Sequence, residues 1–216
     1  MKKIILFLFS LCTCISFCIA QTSNADSTFK EKKTDPAHAK IISDSLKIAK
    51  LHAVAQYPLI KGGIWSGVLP VENPGDKPDP ALDYKLVFKV TAKNPDSISK
   101  EISRSLDEVA RILNLHVAAG IPASKLHPVI VIQGAALESI MNNDAFKKNH
   151  SFDNPNISLI SDLEKAGAKF VSCGQSMAFQ EIKKESLLPD VKVAMSARTA
   201  ISGYQAQGYV LYTIEP

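Results

Sequence analysis

The chain of 216 residues has little cysteine, a single tryptophan and almost no excess of one charge. Three of its four cysteines, Cys12, Cys14 and Cys18, fall within the first twenty residues, so only Cys173 lies in the body of the protein. An internal disulfide therefore has no second half there, and the fold must rest on its own core. Twenty-five basic against 21 acidic residues leave a net charge of +4, too mild to imply a nucleic-acid partner. No H-x-x-x-H, C-x-x-C, Walker or G-x-G-x-x-G pattern occurs, so metal, dithiol and nucleotide-loop readings lack support and no cofactor is expected. What is present is ordinary globular composition, 46% hydrophobic and 21% charged, which excludes collagen-like, coiled-coil and wholly disordered chains.

Lys2 and Lys3 precede an apolar run from Ile4 to Phe17. The run suits a secretory signal and falls short of the roughly 20 residues of a membrane-spanning helix. Small residues at Cys18 and Ala20 place cleavage after Ala20, with Gln21 as the new N-terminus and a periplasmic or secreted destination. Lipid attachment is the rival, because cysteines are in place. Leu11, Thr13 and Phe17 stand before them, however, where Gly, Ala or Ser would suit it. Cleavage leaves Cys173 as the one thiol, the odd cysteine of an exported chain.

Four segments follow from composition and periodicity. Residues 1–20 are the signal peptide and residues 21–34, polar and charged, a flexible leader. Residues 35–81 hold an N-terminal helix, opened by Asp35-Pro36 and carrying Ile42, Leu46, Ala49 and Ala53 on a docking face, and then a strap. The strap is dense in proline and glycine between 58 and 83, which rules out regular helix; Trp65, Val68, Leu69 and Val71 are its expected anchors. Residues 82–216 alternate strands with helices. The strands are expected at 84–91, 127–133, 169–173, 191–195 and 208–214. A long helix capped by Asn94-Pro95 carries Ile98, Ile102, Leu106, Val109, Leu113 and Val117. The stretch from Asn142 to Asn154 reads as a polar segment. Strands and helices at this spacing imply right-handed crossovers and a three-layer α/β sandwich around a five-stranded, largely parallel sheet.

Ligands of such sheets gather at the carboxyl ends of the strands. Cys173 ends the third strand and begins a helix, where unpaired N–H groups and the helix dipole favour thiolate. Gly174, Gln175 and Ser176 follow it, Gln133 and Gly134 end the second strand, and Arg198 follows the fourth. These are the candidate substrate-binding residues. A small, inert core cysteine is the competing reading of Cys173. His116 and His127 read as structural, and His150 is the histidine most able to approach a neighbouring site.

Five stretches, YKLVFKVT, LDEVARILNLHVAAGIPASKLHPVIVIQGAA, LEKAGAKFVSCGQSM, LLPDVKVAMSA and QGYVLY, resemble the DsrE/DsrF-like family over roughly residues 82–213. The resemblance implies a parallel five-stranded α/β fold and homo-oligomers, trimers or hexamers. It also implies sulfur relay, with a persulfide carried on the cysteine matching Cys173. Two departures stand out: Gln133 in place of a histidine before the glycine, and Phe179-Gln180-Glu181 in place of an Arg-Gly pair.

The leading expectation is an exported sulfur-binding protein that carries a persulfide on Cys173 and exchanges sulfur with a donor or acceptor protein. The alternatives are a non-enzymatic oligomeric scaffold of the same fold and a thiol redox sensor. No nucleic acid is expected as a partner, and no membrane once the signal is gone. Export has a direct check, because N-terminal sequencing of the envelope protein should begin at Gln21. A retained signal, or lipid on Cys18, would refute it.

Overall fold

The computed structural model describes residues 36–92 and 100–214. The expected signal peptide and leader, the Asp35 cap and the Asn94-Pro95 cap with Ile98 lie outside those residues. The chain divides into two units, Met1–Lys40 and Ile41–Pro216, and the elements from Ile41 onward belong to the second.

The first helix, α1, spans Pro36–Val54. Its expected docking face is not buried: Ile42 and Leu46 are 46% and 59% exposed, and Ala49 and Ala53 are exposed as well. What holds its C-terminal end is a different set of contacts. The His52 ring meets Trp65 edge to face at 5.6 Å, and Gln56 pairs with Val68 in an antiparallel bridge.

The strap is fastened by polar groups more than by its apolar ones. Among the expected anchors only Val68 is buried, whereas Trp65, Leu69 and Val71 stay largely exposed; Ile60 is the second buried apolar residue. Proline and glycine deny the strap a regular ladder, so its backbone groups need side-chain partners. The second helix, α2 (Arg104–Ala118), supplies them. Buried Asn114 accepts from the N–H groups of Leu59 and Ile60, each at 2.9 Å, and donates to the carbonyls of Ile60 and Ser66 at 2.8 Å. About two turns earlier on the helix, the buried Asp107 carboxylate accepts from Gly63 N–H at 2.8 Å and Trp65 N–H at 2.9 Å.

The sheet comprises β1 (Tyr84–Val90), β2 (Leu126–Ile132), β3 (Lys169–Cys173), β4 (Lys192–Ala194) and β5 (Val210–Ile214). All pairings are parallel, in the order β4-β3-β2-β1-β5. Alternation along the strands sorts side chains into two layers. Leu86, Phe88, Ile130, Ile132 and Phe170 join the larger core with Leu106, Val109 and Leu113 of α2. That core also takes in Phe146 of α3 (Asn143–His150), Leu163 of α4 (Ile157–Lys165) and Met177 of α5 (Gly174–Phe179). Val87, Val129, Val131, Val171 and Cys173 point the other way, onto Ala197 and Ile201 of α6 (Ala197–Ala206). The expected three-layer α/β sandwich with five strands is the observed fold; among the described residues one helix, α6, packs on its second face.

Two helices differ from expectation. α2 begins at Arg104, and Ile102, expected within it, is not helical. The expected polar segment contains α3, whose sequence NDAFKKNH buries only Phe146. A capping bond starts that helix: the Asn142 side chain accepts from Ala145 N–H at 2.9 Å. One buried aromatic in eight residues gives no periodicity to read.

The Asn114 clamp has a measurable weight. Replacing it with alanine strands two N–H groups and two carbonyls of the strap in a buried setting, so Asn114→Ala should destabilise the protein by about 2–4 kcal/mol. Urea unfolding of both proteins measures the difference; a loss below about 0.5 kcal/mol, the scale of an ordinary surface change, would refute the clamp.

Candidate functional site

Cys173 closes β3 and serves as the N-cap residue of α5. Its side chain faces the α6 layer and the residue is 4% exposed, so the thiol is more enclosed than a strand-end position suggests. No side-chain capping bond is formed in the resting geometry. The surrounding donors instead act on the ionised form. Burial is the largest single influence and pushes the thiol pKa up. The Ser176 hydroxyl and the backbone N–H groups of Ser176, Ala197 and Gln175 together outweigh it and hold the pKa below that of an ordinary thiol. Ala197 and Gln175 open two different helices, so the sulfur lies where the N-termini of α5 and α6 converge.

Two glycines make that convergence possible. A Cβ on Gly174 would stand 2.6 Å from the Ala194 carbonyl oxygen and 3.3 Å from that of Met195. Gly174 thus admits the backbone at the end of β4, which leads through Ser196 into α6, rather than leaving room for a substrate as its place beside the cysteine suggests. Gly134 takes φ +60°, a left-handed conformation that turns the chain at the end of β2. Its N–H donates to Ser176 Oγ at 3.1 Å, and its carbonyl accepts from Gln180 Nε2 at 3.0 Å. Because Oγ accepts from Gly134, the Ser176 hydroxyl proton is free to point at sulfur. The ends of β2, β3 and β4 are thereby tied together around one thiol.

Gln133 and Arg198 are brought together elsewhere. They line a cavity of about 380 Å³ with Lys89, over the outward layer of the sheet. Arg198 is exposed and is not among the groups that lower the pKa of Cys173. Gln175 is exposed and donates its amide to Met195 Sδ at 3.8 Å; its backbone N–H, not its side chain, serves the sulfur.

Residues 85–213 match the DsrE/DsrF-like family. The chain belongs to that family. Membership suggests a sulfur-relay-related role. Among solved structures, a protein of unknown function, MTH1491 from Methanobacterium thermoautotrophicum, is similar with a TM-score of 0.46 and 18% identity. The alignment covers 61% of this chain and 99% of that one. No curated protein matches the chain.

Three histidines of this DsrE/DsrF-like protein lie in packed or paired positions. His116 Nδ1 donates to the Ile112 carbonyl at 2.7 Å, and its ring packs between Tyr84 and Tyr212. His127 pairs with Asp83 at 3.1 Å. His150, considered above for a neighbouring site, bonds Glu138 at 3.0 Å and packs on Phe146 and Phe152. Two contributors were not singled out by sequence. Ala197 acts through its backbone, which no residue identity announces. Lys89 had a usable signal, a charge near the carboxyl end of a strand whose centre is apolar.

The donors set a direction that can be measured. Iodoacetamide alkylation follows the thiolate fraction, so its rate midpoint reports the Cys173 pKa. Ser176→Ala removes a group that favours the charged form, and the midpoint should move up; an unchanged or lower midpoint would show that the hydroxyl does not act on sulfur. Wild-type protein should titrate below the roughly 8.5 of a free cysteine.

Proposed function

We propose that this protein carries sulfur as a persulfide on Cys173. The observation that supports the reading is the enclosed thiol held toward its ionised form by donors from two helix starts. A persulfide is formed when the thiolate attacks the outer sulfur of a persulfide or polysulfide donor. One S–S bond forms on Cys173 as the donor's own S–S bond breaks, and the rest of the donor leaves with the electron pair, as a thiolate from a persulfide or a shorter polysulfide anion from a polysulfide. Transfer onward repeats the exchange with an acceptor thiol attacking the outer sulfur. The terminal sulfur is anionic at neutral pH, and the N–H groups that favour the thiolate suit that charge. Enclosure shields the labile sulfur from adventitious thiols. The same chemistry is the persulfide reading that the family resemblance implies, in a chain we propose is exported after cleavage at Ala20.

A scaffold role has its own support in the apolar side chains that α1 leaves exposed, which suit self-association. One experiment separates the two. Intact mass after exposure to polysulfide should rise by one sulfur in the mature wild-type protein and stay constant in Cys173→Ser. Light scattering on the same samples should give more than one chain per particle. A wild type that gains no sulfur while remaining oligomeric would overturn the carrier and leave the scaffold.

A further inference from the structure

The cavity lined by Gln133 and Arg198 has an unusual electrostatic character. Lys89 reaches it from β1, an interior strand, and Arg198 from the first turn of α6. Among the described residues no aspartate or glutamate lines it and neither cation forms an ion pair. Lys89 is half-buried. A half-buried ammonium beside a second cation is a place where an anion would gain attraction from both. Gln133 and Ser202 add neutral donors, while Ile201 and Leu211 supply apolar wall. The cavity runs along the α6 side of the sheet, from Gln133 just past β2 to Leu211 in β5, next to the point where the strand order reverses between β1 and β5.

The chain connects this cavity to the thiol on two sides. Arg198 directly follows Ala197, whose N–H acts on Cys173. Gln133 directly precedes Gly134, whose N–H is bonded to Ser176 Oγ, the hydroxyl that acts on the same sulfur. Residues that line the cavity and residues that act on the sulfur are thus neighbours in the chain, about 3.8 Å apart from Cα to Cα.

We infer that this cavity binds the anionic end of a low-molecular-weight, carboxylate-bearing persulfide and presents its outer sulfur to Cys173. The inference rests on the carrier reading and names the donor's chemical class. The Arg198 fork matches a carboxylate bidentately, and Lys89 adds a point charge from the sheet. The thiolate attacks the outer sulfur of R–S–SH, the Cys173 S–S bond forms and the donor's S–S bond breaks. R–S⁻ departs with the electron pair, its carboxylates still held by the two cations, and no oxidant or reductant is consumed.

Glutathione persulfide, which carries two carboxylates, and cysteamine persulfide, which carries an amine, are the probes. Wild-type protein should load sulfur on Cys173 faster from the anionic donor. In the Lys89→Gln, Arg198→Gln double variant that preference should fall at least tenfold, with the change in KM rather than kcat, and 0.5 M salt should act on the wild type in the same direction. An unchanged preference would overturn the site while leaving the carrier intact. S-methylglutathione, which cannot transfer sulfur, tests the cavity separately by calorimetry. Binding at least tenfold weaker in the variant supports the anion site even if Cys173 accepts sulfur from neither donor, the result that sinks the carrier; equal binding by both proteins would refute the site.

Discussion

A parallel strand can be reached only by a crossover over one face of the sheet, and such crossovers are right-handed. That constraint organises this molecule. From β1 through β4 each strand is added on the same side of its predecessor, so the connecting helices gather on one face. β5 is added at the opposite edge, beside β1. The return from β4 therefore runs on the other face, and α6 is the helix that makes it. Everything at the candidate site follows from that helix. It starts over the end of β3, which brings Ala197 N–H to Cys173. Between it and the sheet lies the cavity that Lys89 and Arg198 both line.

The two faces of the sheet are accordingly used for different purposes. The larger core, with Phe88, Phe146, Phe170 and the leucines of α2 and α4, is sealed and supplies most of the buried apolar surface. The strap is fixed over that side by Asn114 and Asp107, whose bonds replace the ladder that its prolines and glycines cannot form. The second face carries a smaller core and, at its carboxyl edge, the polar and charged groups that can act on a ligand. A thiol placed in the sealed layer would meet desolvation alone, and its pKa would rise. In the α6 layer it meets desolvation together with four donors, and the balance reverses.

Much of this was legible beforehand where periodicity was strong. β3 was expected at its observed residues, and the buried centre of β2 was readable from an unbroken apolar run. α1 misled because the spacing of Ile42, Leu46, Ala49 and Ala53 indicates an apolar face without saying what covers it. The strap misled for a related reason. Large apolar residues are natural anchors, yet the partners of Gly63, Trp65 and Ile60 are their backbone groups, to which side-chain type is blind. α3 went unseen because a capping asparagine and one phenylalanine suffice for a helix that rests against an existing core.

By itself the sequence determined the class of fold, the order of strands along the chain, the single body cysteine and its place between a strand and a helix. It also determined the family, because several separated motifs agree in order. Tertiary structure decided which thiol environment results. The lowered pKa depends on Ala197, which lies 24 positions further along the chain, and on a hydroxyl oriented by Gly134 from another strand. Gly174 illustrates the division. Its identity is plain in the sequence, but the reason for it is the Ala194 carbonyl, which only the pairing of β3 with β4 brings close. Local propensity acts over a turn or a strand, whereas a site at the edge of a parallel sheet is assembled from chain ends that meet only once the crossovers have chosen their faces.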